Sequence, residues 1–264
     1  MNKISIITVN YNNKNGLIKT INSVIQQDYT NIEYIIIDGD SNDGSLNIIK
    51  ESNKINYWIS EKDNGIYDAM NKGIKRCTGD YILFLNSGDY FCRNNILSII
   101  FDKYTFNEDL IIGRQLYITK DKKIGISPKL RYSEIDITFF LSSTIPHQAT
   151  FIKRDLFEKI GFYDITYKVS ADWVFWIKAI IENKCNIRII NKNVSYMEEG
   201  GVSSNMSKCY ADMSRYMNEC LRNGIITWED IFKYSVKGRM YDYCYRNKLL
   251  SLVNKAITGI SKRI

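Results

Sequence analysis

Residues 33–45 read E-Y-I-I-I-D-G-D-S-N-D-G-S, and the change of character at Asp38 decides the fold. The run Glu33–Asp38 is apolar on consecutive positions, as in a strand buried on both faces. The polar, glycine-bearing segment after it is a turn and helix cap. A helix with Leu46, Ile48 and Ile49 follows. The same order recurs upstream, where Lys3–Val9 (K-I-S-I-I-T-V) is a buried strand and Leu17, Ile21, Val24 and Ile25 fall at helical spacing. Downstream, Tyr57–Ser60 is a short strand, and Ile66, Met70 and Ile74 mark a helix ending near Gly79. Tyr81–Leu85 (Y-I-L-F-L) is a further strand that runs into Asn86-Ser87-Gly88-Asp89. This alternation specifies an α/β fold, a mainly parallel central sheet flanked by helices. Each polar segment follows a strand's carboxyl end, where open α/β sheets bind ligands.

Past residue 105 the pattern becomes mixed. Leu110–Tyr117 and Ile187–Ile190 read as strands, Arg154–Ile160 and Ala171–Ile181 as helices, and everything from Asn205 onward as helical. The expected organisation is one α/β domain over 1–204 with a helical, basic C-terminal extension over 205–264. The composition is globular: 264 residues, 45% hydrophobic and 25% charged, with two prolines. Six cysteines lie far apart without a C-x-x-C pair, which argues against a zinc cage and for reduced thiols. The opening M-N-K-I-S-I-I-T-V-N-Y is apolar too briefly for a signal peptide, and no stretch reaches the roughly 20 apolar residues of a membrane span. The expected location is the cytoplasm.

No G-x-G-x-x-G follows the first strand and no G-x-x-x-x-G-K-[ST] occurs, so neither the dinucleotide fingerprint nor the P-loop is present. Six segments in order instead carry a likeness: I-T-V-N-Y-N, I-I-I-D-G-D-S-N-D-G-S, S-E-K-D-N-G-I-Y-D-A-M-N-K-G-I, G-D-Y-I-L-F-L-N-S-G-D, P-H-Q-A-T-F-I-K-R-D-L-F-E-K-I-G-F-Y-D and S-A-D-W-V-F-W-I-K. Over about residues 1–205 the chain resembles the inverting family 2 glycosyltransferases with the GT-A fold, which mostly build bacterial surface polysaccharides. The resemblance implies that 1–204 is a catalytic domain, with a nucleotide-sugar donor bound by 1–105, an acceptor hydroxyl on a glycan or lipid-linked glycan on the side of 106–204, and Mn2+ or Mg2+ on the donor's diphosphate.

It also assigns roles. Asp38 matches an Asp that accepts the base's ring N–H, which suits uracil or thymine because a carboxylate only accepts. Thr8, Asn10 and Tyr11 would flank the same base and ribose, with Ser41 or Asp43 left to cap the helix. Asp63 reads as a ribose or base contact, or as support behind one. Asp68 shares a helix face with Asn71 and Lys72, either toward the donor or as a solvated face. The chain has Ala69-Met70-Asn71 where relatives often carry A-R-N; Lys72 is a candidate substitute for the missing Arg, but as a point charge it cannot copy an Arg fork. Asn86-Ser87-Gly88-Asp89 occupies the place of the D-x-D metal motif. Asn86 and Ser87 fall to the donor, and Asp89 to the metal.

Asp172 matches the base that takes the acceptor's proton; the alternative is a first-turn Asp on a helix dipole. Trp173 stacks on a sugar face or packs. His147, the only histidine, borders the acceptor site, binding acceptor or diphosphate, or is structural. Gly200-Gly201-Val202-Ser203 resembles a loop that closes over the diphosphate. A nucleotidyltransferase would open with a glycine- and lysine/arginine-rich loop, which Asn10–Gly16 matches poorly, and a non-catalytic binder would lack both Asp89 and Asp172.

Net charge is +7, and residues 231–264 hold eight Lys/Arg against the single acid Asp242, leaving the first 230 residues neutral. Leu249, Leu250, Val253, Ile257 and Ile260 form a stripe at helical spacing. It either meets an anionic membrane surface or packs on the catalytic domain. Nothing beyond this tail points to nucleic acid.

Overall fold

The computed structural model describes residues 1–119, 121–126, 135–200 and 206–236. Its strands are β1 (Ile4–Asn10), β2 (Ile32–Asp38), β3 (Tyr57–Ser60), β4 (Tyr81–Phe84), β5 (Tyr90–Phe91), β6 (Leu110–Ile118), β7 (Ile124–Ile126), β8 (Thr150–Lys153) and β9 (Ile187–Glu198). The helices are α1 (Lys14–Ile25), α2 (Ser45–Glu51), α3 (Ile66–Arg76), α4 (Ile96–Phe101), α5 (Ile137–Phe140), α6 (Arg154–Ile160), α7 (Ala171–Ile177), α8 (Met206–Arg222) and α9 (Trp228–Val236).

The strands lie in the order β3-β2-β1-β4-β8-β6-β9-β5, with β7 beside β6. The first four pair in parallel, as the spacing of the first hundred residues requires. Beyond them the sheet is mixed: β8 runs antiparallel to both β4 and β6, β9 runs parallel to β6, and β5 is antiparallel to β9. The expectation of a mainly parallel sheet therefore holds for the first half alone.

Strand periodicity divides the core in two. Ile4, Ile6, Tyr34, Ile36, Tyr81 and Leu83 face α1, α2 and α4 through Leu17, Ile21, Ile49, Leu97 and Phe101. Ile7, Val9, Ile35, Ile37, Ile82 and Phe84 face α3, α6 and α7 through Met70, Ile74, Phe157, Val174 and Phe175. α8 adds Tyr216 and Cys220 to this second cluster, so the start of the C-terminal extension packs on the domain.

Several elements depart from the sequence reading. β9 runs on to Glu198, well past Ile190, because the polar Asn191-Lys192-Asn193 stretch is carried through a register shift against β6. The helix from Ala171 ends at Ile177 and continues as a π turn over Lys178–Glu182. The short β5, β7, β8, α4 and α5 carry too few residues for a periodic signal. Cys77, Cys92, Cys185, Cys209 and Cys220 are thiols outside any disulfide. No described helix is long and apolar enough to cross a membrane. The stripe of the basic tail, like Gly201-Val202-Ser203, lies outside the described residues.

Candidate active site

The pairing of β4 with β8 builds the site. Ile82 opposes Ile152 and Tyr81 opposes Lys153 in an antiparallel register. As β4 climbs to its carboxyl end, the chain before β8 descends beside it. The turn Asn86–Asp89 therefore meets the 3-10 turn His147–Ala149. Gly88, at φ 106, turns the chain between them in a conformation that favours glycine.

His147 is the hub of the meeting. Its Nε2 lies 3.3 Å from Asn86 Nδ2, and its Nδ1 lies 3.0 Å from Asp172 Oδ2. Asp172 stands in the first turn of α7. Its Oδ1 accepts from the Tyr67 hydroxyl at 2.6 Å and from the Trp173 backbone N–H at 2.9 Å. Burial alone would push the Asp172 acid up, but His147, Tyr67 and the Trp173 amide together hold it below the ordinary carboxylate range. Tyr67 went unremarked in the sequence although it sits inside the quoted D-N-G-I-Y-D-A-M-N segment. Its own acid is raised by burial and by the Asp172 charge.

Asp89 is 7% exposed. Burial pushes its acid up to about 7, against the charge of His147 and a hydrogen bond from the Gln148 side chain. A buried carboxylate so short of positive charge is a fit place for a divalent cation. No group of three His, Cys, Asp or Glu that could hold a metal occurs among the described residues. A cation at Asp89 would therefore draw its other ligands from a diphosphate and water. Gln148 was not foreseen, since an amide beside the only histidine carries no distinct signal.

At the end of β2 the structure corrects the reading of Asp38. Its side chain is fully buried, and all four acceptor positions are taken. Oδ1 accepts from Asn10 Nδ2 at 2.7 Å and from the Ser41 hydroxyl at 2.6 Å. Oδ2 accepts from the Ser41 N–H at 3.0 Å and the Ser60 hydroxyl at 2.7 Å. Burial works against these bonds, yet they hold the Asp38 acid below its ordinary range. Asp38 is thus the keystone of the β2 loop, with no lone pair left for a base. Thr8 is corrected too. It is buried, bonding the Leu85 carbonyl at 2.8 Å and sharing a hydrogen bond with the Tyr34 hydroxyl, so it ties β1 to the end of β4. Asn10 is buried against Asp38.

The groups that remain open there are Tyr11 and Asp63. Tyr11 is 68% exposed. Gly39 lies between them: a Cβ on it would fall 2.6 Å from Asp63 Oδ2 and 3.2 Å from the Tyr11 ring. Asp63 Oδ1 accepts from the Gly65 N–H, and its Oδ2 is left facing that space. Asp43, as one of the two capping candidates, receives the N–H groups of Lys14 and Ser45.

On α3, Asp68 accepts from the Asn64 N–H at 2.9 Å, which caps the helix entrance. Asn71 does not share a solvated face with it; it is buried and bonds both the N–H and the carbonyl of Tyr163. Lys72 is held by Glu61 at 2.8 Å and by the Lys62 carbonyl. Ser87 accepts from the Asn13 side chain through its carbonyl. Trp173 is corrected as well. It is 3% exposed, with Nε1 bonded to the Phe140 carbonyl and its ring edge-on to Tyr216, so it packs and offers no face to a sugar.

The open Tyr11 and Asp63 groups and the buried acidic turn thus lie together at the carboxyl edge of a GT-A-like α/β sheet. The profile of glycosyl transferase family 2 matches residues 5–161, and the chain belongs to that family. It is 30% identical over 255 residues to an uncharacterised glycosyltransferase of Mycobacterium tuberculosis, covering 93% of this chain and 94% of that one. It is 31% identical over 191 residues to a PGL/p-HBAD biosynthesis glycosyltransferase of Mycobacterium bovis, covering 70% of this chain and 72% of that one. Among solved structures, S. aureus TarS in complex with UDP-GlcNAc superposes at a TM-score of 0.61, with 20% identity over 77% of this chain. The mannosyltransferase PcManGT of Pyrobaculum calidifontis, in complex with GDP-Man and Mn2+, superposes at 0.60 with 15% identity over 84% of this chain. The chain spans 61% and 64% of the lengths of those two structures, and the likeness bears on the fold.

Proposed function

We propose that the chain moves a sugar from a nucleoside diphosphate sugar to an acceptor hydroxyl with inversion at the anomeric carbon. The observation that carries this reading is the meeting of the Asn86–Asp89 turn with the His147–Asp172 pair at one strand edge. A leaving group and a proton acceptor are needed on either side of one reacting carbon, and these are the two groups of residues able to serve them. Donor binding falls to residues 1–105 and the acceptor to 106–204. The Tyr11–Gly39–Asp63 space receives the base, Tyr11 against its face and Asp63 Oδ2 accepting its ring N–H, which favours UDP- or dTDP-sugars. Asp89 holds the diphosphate's metal, with Asn86 and Ser87 beside it. Mn2+ or Mg2+, when bound, offsets the charge growing on the leaving diphosphate. The acceptor hydroxyl loses its proton at the Asp172 centre.

A relative named for PGL/p-HBAD biosynthesis supports a glycan or lipid-linked glycan as acceptor. Surface polysaccharide assembly at the cytoplasmic face of the membrane, with the basic tail as a peripheral contact, is the setting we infer. The test is a panel of UDP-, dTDP-, GDP- and CMP-sugars with manganese, read by the released nucleotide. Release of nucleoside diphosphate from a UDP- or dTDP-sugar is expected. Turnover of the nucleotide sugar only when pyrophosphate is added, with release of nucleoside triphosphate and sugar 1-phosphate, would make the chain a nucleotidyltransferase, and a preference for GDP-sugars would overturn the role of Asp63.

A further inference from the structure

Three of the four acceptor positions of the Asp172 carboxylate are already taken. Tyr67 and the Trp173 amide occupy Oδ1, and His147 Nδ1 occupies the near side of Oδ2. A carboxylate held ionised only accepts hydrogen bonds, so the proton between Asp172 and His147 resides on Nδ1. In the neutral ring Nε2 then carries a lone pair. That atom faces the donor-side turn, where Asn86 Nδ2 approaches at 3.3 Å, a long contact that an incoming O–H readily displaces. Asn86 Oδ1 is buried without a partner, an atom that a bound polyol would satisfy.

Building on the sugar-transfer reading, we propose that Nε2 of His147 is the group that takes the acceptor's proton, and that Asp172 is its positioning residue. The acceptor O–H bond breaks and its proton passes to Nε2. The oxygen's electron pair forms the new bond to the anomeric carbon. The bond from that carbon to the diphosphate oxygen breaks, and its electron pair leaves on the nucleoside diphosphate. The imidazolium is stabilised by the Asp172 carboxylate and returns its proton to water after the product departs. Tyr67 fixes the carboxylate from behind. An imidazole suits the task because its ordinary pKa lies nearer the working pH than a carboxylate's.

His147 is the only histidine, so 15N-histidine labelling of the full chain gives one imidazole. At pH 8 its nitrogen shifts and couplings should report a proton on Nδ1 and none on Nε2, and Asp172→Asn should disturb that tautomer. In turnover, His147→Gln should lose ~10²–10⁴-fold in transfer while binding UDP nearly as the wild type does. His147→Ala should regain at least about tenfold with added imidazole. A proton on Nε2, transfer by His147→Gln within about tenfold of wild type, or no recovery with imidazole would each overturn the proposal, the first without any need for an active variant. A wild type that binds no nucleotide sugar and releases no nucleotide would instead sink the sugar-transfer reading, and this inference with it.

Discussion

Replacing Asp38 with Asn turns one carboxylate oxygen into an NH2 group inside a closed cage of donors. If the nitrogen takes the Oδ2 place it meets the Ser41 backbone N–H, which cannot turn acceptor; if it takes the Oδ1 place it meets Asn10 Nδ2, which must flip to present Asn10 Oδ1 and thereby gives up its own bonds to residue 38 and Ser41. The Ser41 and Ser60 hydroxyls can rotate, so either a donor–donor conflict at the Ser41 N–H or a buried Asn10 NH2 without a partner remains, whichever way the amide lies. An unsatisfied buried group costs ~1–3 kcal/mol, and loss of charge assistance in the remaining bonds adds about 1 more. A total near 3 kcal/mol lowers the melting temperature by roughly 6–12 °C at ~2–4 °C per kcal/mol in a domain of this size. Thermal melts of wild type and Asp38→Asn, followed by nucleotide titration of both, make the check. A melting temperature within about 2 °C of wild type, together with a selective loss of UDP binding, would refute the keystone role and return Asp38 to the base.

Other outcomes follow from the same contacts. Asp63→Asn should weaken UDP binding by ~1–3 kcal/mol through loss of its acceptor. Gly39→Ala should weaken it too by displacing Asp63 and Tyr11, with little change in melting; unchanged titrations of both would remove the base space from this position. Trp173→Phe should cost ~1–3 kcal/mol of stability through the stranded Phe140 carbonyl, and a raised acceptor KM with unchanged melting would contradict that packing role. Asp89 has its acid raised in the fold, so it favours the folded state at low pH and costs stability as pH rises from its ordinary value near 4 toward about 7. In chelator, Asp89→Asn should therefore out-melt wild type above pH 7 and lose that advantage near pH 4, while manganese with UDP should stabilise wild type more at pH 8 than at pH 5.5. Asp38 and Asp172, lowered in the fold, run the other way and lose their contribution only as pH falls below about 4.

Much of this architecture was legible because it is written in consecutive apolar runs. β1, β2 and β4 are buried on both faces, and nothing but a helix-covered parallel sheet accommodates that pattern at such spacing. The second half was less legible. β8 is four residues long, and its antiparallel entry between β4 and β6 depends on a long-range pairing that no local period encodes. The site divides in the same way. That Asp89, Asp172 and His147 lie at strand or helix ends follows from the motifs, but their mutual distances depend on the β4–β8 register. Asp38 misled because a carboxylate at a strand's end serves a loop or a ligand equally well in sequence. The hydroxyls of Ser41 and Ser60, one nearby and one on the neighbouring strand, decide between them. Trp173 misled for a related reason: α5, whose Phe140 carbonyl takes the indole N–H, is a single turn without a signature of its own.

The most direct test of the central claim follows the anomeric proton by NMR during transfer, with the donor found in the nucleotide-sugar panel and both wild type and Asp172→Asn. The account predicts a product of opposite anomeric configuration to the donor, and a transfer rate for Asp172→Asn lower by ~10²–10⁴-fold with donor affinity nearly unchanged. A product that retains the donor's configuration, or an Asp172→Asn enzyme that transfers as fast as wild type, would contradict it.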